Sequence, residues 1–208
     1  MSKSDKFWDK TAEKYSKKKV PDEEKYRQKL SETQEFLSAD MHILEFGCGT
    51  GTTAIYHAPH VQKIDAIDIS EKMIEIGRKK AEKSRVRNLT FSRGTLEEFN
   101  ADSSSLDAVL GLNVIHLVPN RKELITEVAR ILKPGGIFVS STGCLGNSYF
   151  RFLKLLIPLL KPLGVMPNVF MFSEAELAAE IKNAGFSIKR QWHYGPQNIE
   201  VFIIAKKL

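Results

Sequence analysis

The chain has 208 residues, 42% hydrophobic and 27% charged, and 31 basic against 25 acidic residues leave a net charge of +6. That is the length of one domain with a full core, and the composition excludes a repeat array, a low-complexity tract or a fibrous protein. Two cysteines, Cys48 and Cys144, exclude a disulfide framework and fit a reducing compartment.

The first forty residues read as a helical cap. "DKFWDKTAEKYSKK" places Phe7, Trp8, Ala12 and Tyr15 at helical spacing, and a second helical segment follows Pro21. In that second segment "SETQ" (31–34) is either an internal capping signal or mid-helix. "MHILEF" is a short apolar run ended by glycines and reads as a buried strand. A short helix stops near Pro59, and "QKIDAIDIS" is a second strand. "EKMIEIGRKKAEK" puts Met73, Ile76, Gly77 and Lys80 on one helical face. "NLTFSRG" and "LDAVLGLN" are the third and fourth strands. "NRKELITEVARILKPGG" is a helix with Asn120 and Glu123 as its N-cap pair, a stripe from Leu124 to Leu132, and a stop at Pro134 and Gly135. "GIFVSST" is a fifth strand.

Strands alternating with helices imply an α/β fold with a mostly parallel sheet covered on both faces. The rhythm breaks after residue 143. An apolar, proline-punctuated insertion is followed by a helix opened by the capping box "SEAE" (173–176) and by two strands, "FSIKRQWHY" and "IEVFIIAKK", spaced to pair as an antiparallel hairpin. The expected plan is one domain over 1–208: a cap (1–40), a ligand-binding core (41–142), an apolar lid-like insertion (143–172), and a helix with the C-terminal hairpin (173–208).

A buried strand, a glycine-rich turn and a helix form a ligand site, because the loop lies at the carboxyl ends of the strands. The helix start offers unpaired N–H groups to an anionic or polar ligand. Gly47, Gly49 and Gly51 let the backbone approach that ligand. Dinucleotides favour G-x-G-x-x-G, which requires glycine where this chain has Thr52. Asp68, 21 residues after Gly47, ends the second strand, placed to accept hydrogen bonds from ribose hydroxyls.

With "ILEFGCGTG", "AIDIS" and "LKPGG" in this order over residues 41–142, the chain resembles the class I S-adenosylmethionine-dependent methyltransferases, of the small-molecule type. The resemblance implies a Rossmann-like seven-stranded sheet with the last strand inserted antiparallel, and S-adenosylmethionine as cofactor with S-adenosylhomocysteine as product. It implies that Glu45 and the loop Gly47, Cys48, Gly49, Thr50 and Gly51 line the methionine and ribose end. Asp68 would hold the ribose hydroxyls, with Ile69 and Met73 beside the adenine. Thr95 and Leu96 stand where the family often has an acidic residue and a small one, leaving backbone groups to read the adenine. Asn113 would lie near the methionine portion and the transferred methyl. "FWDKTAEKY" resembles the cap segment of many small-molecule methyltransferases, with Tyr15 reaching in, or else simply anchoring its helix.

Methyl transfer from a sulfonium is an in-line displacement, so alignment of donor and acceptor is the main task, and a base is needed only if the nucleophile must lose a proton. His116, in "LNVIHLV" beyond the fourth strand, is the candidate catalytic base, facing the mouth of the predicted site; the competing reading is a packing histidine. His193, in a terminal strand, either lines the pocket or does not, and His57 and His60 read as surface residues around Pro59. Cys144 reads as a buried thiol, and no Cys or His spacing suggests a metal.

The segment 144–172 reads either as a lid over an apolar acceptor, able to rest on a membrane surface, or as a packing hairpin or dimer interface. The basic stretch "RKKAEKSRVR" (78–87) reads as a solvated helix end, because no aromatic residue is interleaved to stack on bases. The amino-terminal stretch lacks the apolar core of a secretory signal, and no run approaches the roughly 18 apolar residues of a membrane span. The functional expectation is a cytoplasmic methyltransferase with a small, apolar acceptor and no nucleic-acid partner. The alternatives kept are a nucleic-acid methyltransferase, a cofactor-binding protein without turnover, and, weakened by the glycine spacing, an oxidoreductase. The acceptor atom and oligomeric state stay open.

Overall fold

A computed structural model describes residues 3–18, 20–144, 168–195 and 199–208. Two helices lead, α1 (Lys3–Ser16) and α2 (Glu23–Gln34). The chain then alternates through β1 (His42–Phe46), α3 (Thr52–His57), β2 (Lys63–Asp68), α4 (Glu71–Lys83), β3 (Leu89–Arg93), α5 (Leu96–Phe99), β4 (Leu106–Leu112), α6 (Arg121–Ile131) and β5 (Leu132–Gly143). It ends with α7 (Glu174–Asn183), β6 (Phe186–Tyr194) and β7 (Glu200–Lys207).

The seven strands form one sheet in the order β3-β2-β1-β4-β5-β7-β6. The first five are parallel; β7 runs antiparallel to both β5 and β6. After β3 the chain returns past β1 to lay down β4, so the direction of winding reverses between β1 and β4. Such a reversal splays the connections apart and opens a crevice at the carboxyl ends of the strands.

Two apolar layers fill the faces of the sheet. Strand period assigns them: in β1, Ile43 faces one layer and Leu44 and Phe46 the other. Leu44, Val109, Phe138 and Ile203 meet α6 and α7 through Ile125, Val128, Leu177 and Ile181. Ile43, Ile64, Ala108, Val139 and Phe202 face the side carrying α3 and α4, with Ala54 and Ile74. α2 joins that side by polar means: Lys29 is buried with Nζ 4.0 Å from the Tyr194 ring centroid, and Glu32 accepts from Trp192 Nε1 at 2.8 Å. Burial pulls the Lys29 amine down to about 8.

Local expectations meet this frame with several corrections. The capping box at Ser173 and Glu176 is formed in full. Asn120 sits at the N-cap of α6 but makes no side-chain cap bond, so the expected pairing with Glu123 is absent. Pro134 and Gly135 do not stop α6; the helix ends at Ile131 and β5 begins at once. Leu132 pairs with Leu106 and Ile137 with Ala108, so the proline and glycines are absorbed as a bulge in β5. α4 buries Met73, Ile74, Gly77 and Ala81, whereas Ile76 and Lys80 are only half-buried. "SETQ" turns out to be the last turn of α2. The lid-like insertion lies largely outside the described residues; its ends, Cys144 and 168–172, are described. At the second of these, Arg121 clamps Glu180 with two bonds of 2.5 and 2.7 Å and lies over the Phe172 ring.

Close approach of backbone to ring is a recurring device beneath the crevice. A Cβ on Gly111 in β4 would lie 2.2 Å from Phe46 Cζ. Gly111→Ala should therefore cost about 1–3 kcal/mol by overpacking, measured by urea unfolding, and Phe46→Leu in the same chain should recover part of it.

Candidate functional site

A cavity of about 980 Å³ opens at the carboxyl ends of β1 to β4. Phe46 ends β1 with Gly47 after it, Asp68 ends β2, Arg93 ends β3, and Leu112 ends β4 with Asn113 after it, and all of them line it. One face of α1, through Asp5, Trp8 and Tyr15, supplies the opposite wall.

The glycine loop divides its labour. Gly47 and Gly49 line the cavity, with φ of +63° and +53°. Gly47 also backs on Val114, where a Cβ would meet Cγ2 at 2.5 Å. Gly51 does not line the cavity: a Cβ there would strike the Phe91 ring at 2.3 Å. Its side chain is missing for packing against β3, and not for the approach of a ligand.

Asp68 is the best-fixed acid of the site. Its Oδ2 accepts from the Gly49 N–H at 2.9 Å and its Oδ1 from the Ser70 N–H at 2.9 Å. Each oxygen keeps further lone pairs for a hydroxyl of a ligand. Burial raises its pKa, and those two backbone bonds work the other way.

Of the residues proposed from sequence, Tyr15, Gly47, Gly49, Asp68, Ile69, Met73, Thr95, Leu96 and Asn113 are brought together around the one cavity. Glu45, Cys48, Thr50, Gly51 and His116 are not among its lining. Glu45 lies on the same face of β1 as Ile43, buried, with the Ala54 backbone N–H bonded to its carboxylate and Oε2 unpartnered. The Cys48 thiol is buried beside Gly49 and pushed well above its ordinary value by burial. Thr50 Oγ1 accepts from Lys80 Nζ at 2.6 Å.

His116 does not face the cavity mouth. Its Nδ1 lies 3.0 Å from Thr142 Oγ1, its N–H donates to the same oxygen at 3.2 Å, and its carbonyl accepts from Phe170 N–H at 2.8 Å. Burial lowers its pKa. A histidine held by β5 in this way fits the packing reading. His193 pairs with Glu174 at 2.6 Å, away from the cavity. His57, read from sequence as a surface residue, is buried instead, bonded to Gln34 at 3.1 Å and pulled down to about 4 by burial. His60 is exposed as expected. Cys144 is buried, its thiol pushed up to about 12 by burial.

Sequence reasoning missed Asp5, Arg93, Leu117 and Leu124 as lining residues. Leu117 had a signal, since it sits one turn beyond the end of β4; the Asp5–Arg93 pair, 3.4 Å apart, joins residues 88 positions apart and had none. Among the described residues there is no group of three or more His, Cys, Asp or Glu that could hold a metal ion.

The residues fit an adenosine-type group: a carboxylate with free lone pairs at the end of β2, a cradle of backbone glycine at β1, and apolar walls in Ile69, Met73 and Leu96. Such a lining suits a nucleoside-binding site in an α/β domain. Residues 43–136 match the methyltransferase domain family. The uncharacterized methyltransferase YcgJ of Bacillus subtilis is 31% identical over 101 residues, 49% of this chain and 40% of that protein. The ubiquinone biosynthesis O-methyltransferase of Acinetobacter baumannii is 27% identical over 165 residues, 76% of this chain and 69% of that protein. The chain thus spans about two fifths of the length of the first curated relatives it matches. A solved SAM-dependent methyltransferase of Aquifex aeolicus shares the fold, with a TM-score of 0.69 at 19% identity over 95% of this chain and 98% of that one. Residues 43–136 thus match a methyltransferase domain, and the chain has the fold of the solved SAM-dependent methyltransferase.

Glu45 generates a pH expectation. Burial lifts its pKa from 4.5 to about 8, so the fold favours the neutral acid. Its stabilising share is complete below pH 4.5 and is lost as pH rises to about 8, because the unfolded chain ionises first. Glu45→Gln, neutral throughout, should flatten the pH dependence of urea unfolding across that window and raise stability above it.

Proposed function

We propose that the chain is a cytoplasmic methyltransferase that uses S-adenosylmethionine to methylate a small, apolar acceptor. The observation that carries the reading is the convergence of the Gly47–Gly49 loop, Asp68 and Asn113 on one cavity at the strand ends. S-adenosylmethionine, when bound, supplies an activated methyl on a sulfonium, open to in-line displacement.

The protein's own part is binding, orientation and exclusion of water. Asp68 takes the ribose hydroxyls, with its carboxylate already aimed by Gly49 and Ser70. Ile69, Met73 and Leu96 flank the adenine, and the capping box of α5 leaves Thr95 and Leu96 at the adenine edge. Asn113 and Tyr15 stand at the reacting end. Aromatic faces beside a cationic centre contribute about 0.5–2 kcal/mol, which suits Tyr15 and Trp8 to the sulfonium. Alignment of the acceptor against the methyl accounts for most of the rate in such a reaction. No base is assigned, since His116 points to Thr142.

Two features support a small acceptor of apolar character. The cavity is lined in part by Leu117, Val118, Pro119 and Leu124, apolar residues that follow β4 or open α6. One relative is named a ubiquinone biosynthesis O-methyltransferase, an enzyme of a small molecule. Among the described residues no helix is long and apolar enough to cross a membrane.

Titration calorimetry is the direct test. S-adenosylmethionine and S-adenosylhomocysteine should bind, and nicotinamide dinucleotides should not. Asp68→Ala should weaken both adenosyl ligands by about 1.5–3 kcal/mol, roughly 10- to 100-fold, the size of a hydrogen bond to a charged group. Unchanged affinity in that variant would displace the ribose site. Release of S-adenosylhomocysteine across a panel of phenols and other small acceptors then identifies the substrate.

A further inference from the structure

α1 is held in an unusual way for a helix that walls a cavity. Among its described side chains only Ala12 is fully buried, so core packing contributes little. Polar ties do the holding. Asp9 Oδ1 accepts from Ser70 Oγ at 2.7 Å and from the Lys72 backbone N–H at 3.2 Å. Arg93 reaches Asp5 at 3.4 Å. These ties land just beyond β2 and at the end of β3, on the rim of the cavity.

Ser70 is fully buried and joins three elements. Its Oγ caps α4 by accepting from Met73 N–H at 3.2 Å, and its own N–H donates to Asp68 Oδ1 at 2.9 Å. Asp9, Ser70 and Asp68 thus form a continuous line from the wall helix to the carboxylate of the cavity. Ser70 caps α4 at Met73 N–H, and Asp9 adds the Lys72 N–H of the same turn, so the tie joins α1 to the start of α4. The residue before Asp9 is Trp8, which lines the cavity and packs edge-on against Phe7 and Tyr15 at 5.1 and 6.3 Å between centroids. A tie at Asp9 therefore sets where the aromatic wall stands.

We propose that Asp9 is a positioning residue for cofactor exchange: through Ser70 and Lys72 it holds α1 closed across the cavity, and the adenosyl ligand enters and leaves when that tie opens. This rests on the adenosylmethionine reading above. A wall fastened by a few hydrogen bonds has two accessible arrangements, and a ligand trapped beneath it exchanges at the rate of their interconversion.

The test has two parts on the full chain. In hydrogen exchange without ligand, Asp9→Ala should speed the amides of α1 and, within α4, that of Lys72 alone, since Ser70 still caps Met73. In stopped flow with S-adenosylhomocysteine, Trp8 is the reporter in a Trp192→Phe background, these two being the only tryptophans. Asp9→Ala should raise association and release rates together, each roughly tenfold, equivalent to about 1.4 kcal/mol. Asp9→Asn, which keeps the accepting oxygen, should restore rates close to those of the parent. A merely structural loss would speed release and leave association alone, and that result overturns the gate. So does unchanged exchange in α1. Failure of the parent chain to bind the ligand overturns the cofactor reading and the gate with it, whereas binding with unchanged rates in Asp9→Ala overturns the gate alone.

Discussion

Much of the architecture around the cavity depends on one carboxylate held by backbone. Asp68 receives the N–H of Gly49 on one oxygen and of Ser70 on the other, so the loop after β1 and the turn after β2 are pinned to a common point. A charge-assisted bond of this kind is shorter and stronger than a neutral one. The pin has a structural side effect: the loop cannot shift toward a ligand without dragging α4, because Ser70 is also the cap of that helix. Pre-organisation of this sort lowers what a ligand must spend in ordering its own site.

The chain hides acids unevenly to achieve this. Asp68 sits at the strand end within reach of a ligand, while Glu45, only two residues before Gly47, lies buried on the opposite side of β1 from Phe46. Desolvation dominates both groups, yet Asp68 has two backbone donors and Glu45 a single one. Burial raises the pKa of both acids, and Asp68 has one more backbone donor working against that rise than Glu45.

Strand period and glycine punctuation made the core legible. β1, β2 and β4 could be placed to within a residue or two, and the winding that brings Gly47 and Asp68 together follows from the alternation of strand and helix. What was not legible had physical reasons. The alternation within "ILEF" already put Glu45 on the face of Ile43, but the resemblance drew it toward the ligand. Gly51 looked identical to Gly47 as a letter, yet besides its φ of +70° it is the approach of Phe91 from β3, forty residues on, that leaves no room for a side chain. Pro134 and Gly135 signal a helix stop locally, whereas pairing of Leu132 with Leu106 overrides them. His116 stands one residue from cavity-lining Leu117, and its direction depends on Thr142 in another strand. Side-chain direction at the ends of strands is a tertiary property, and short-range patterns do not carry it.

The two ends of the apolar insertion deserve comparison with the site they flank. Cys144 N–H donates to the Ile199 carbonyl at 2.7 Å, Phe170 N–H to the His116 carbonyl at 2.8 Å, and Phe172 is buried under Arg121. Both stems are thus bolted to the sheet or its neighbouring turn by main-chain bonds that ask nothing of side-chain identity. Substitution of the side chain at Cys144 or Phe170 accordingly leaves both anchoring bonds in place, and the ends of the insertion keep their position whatever residues occupy them.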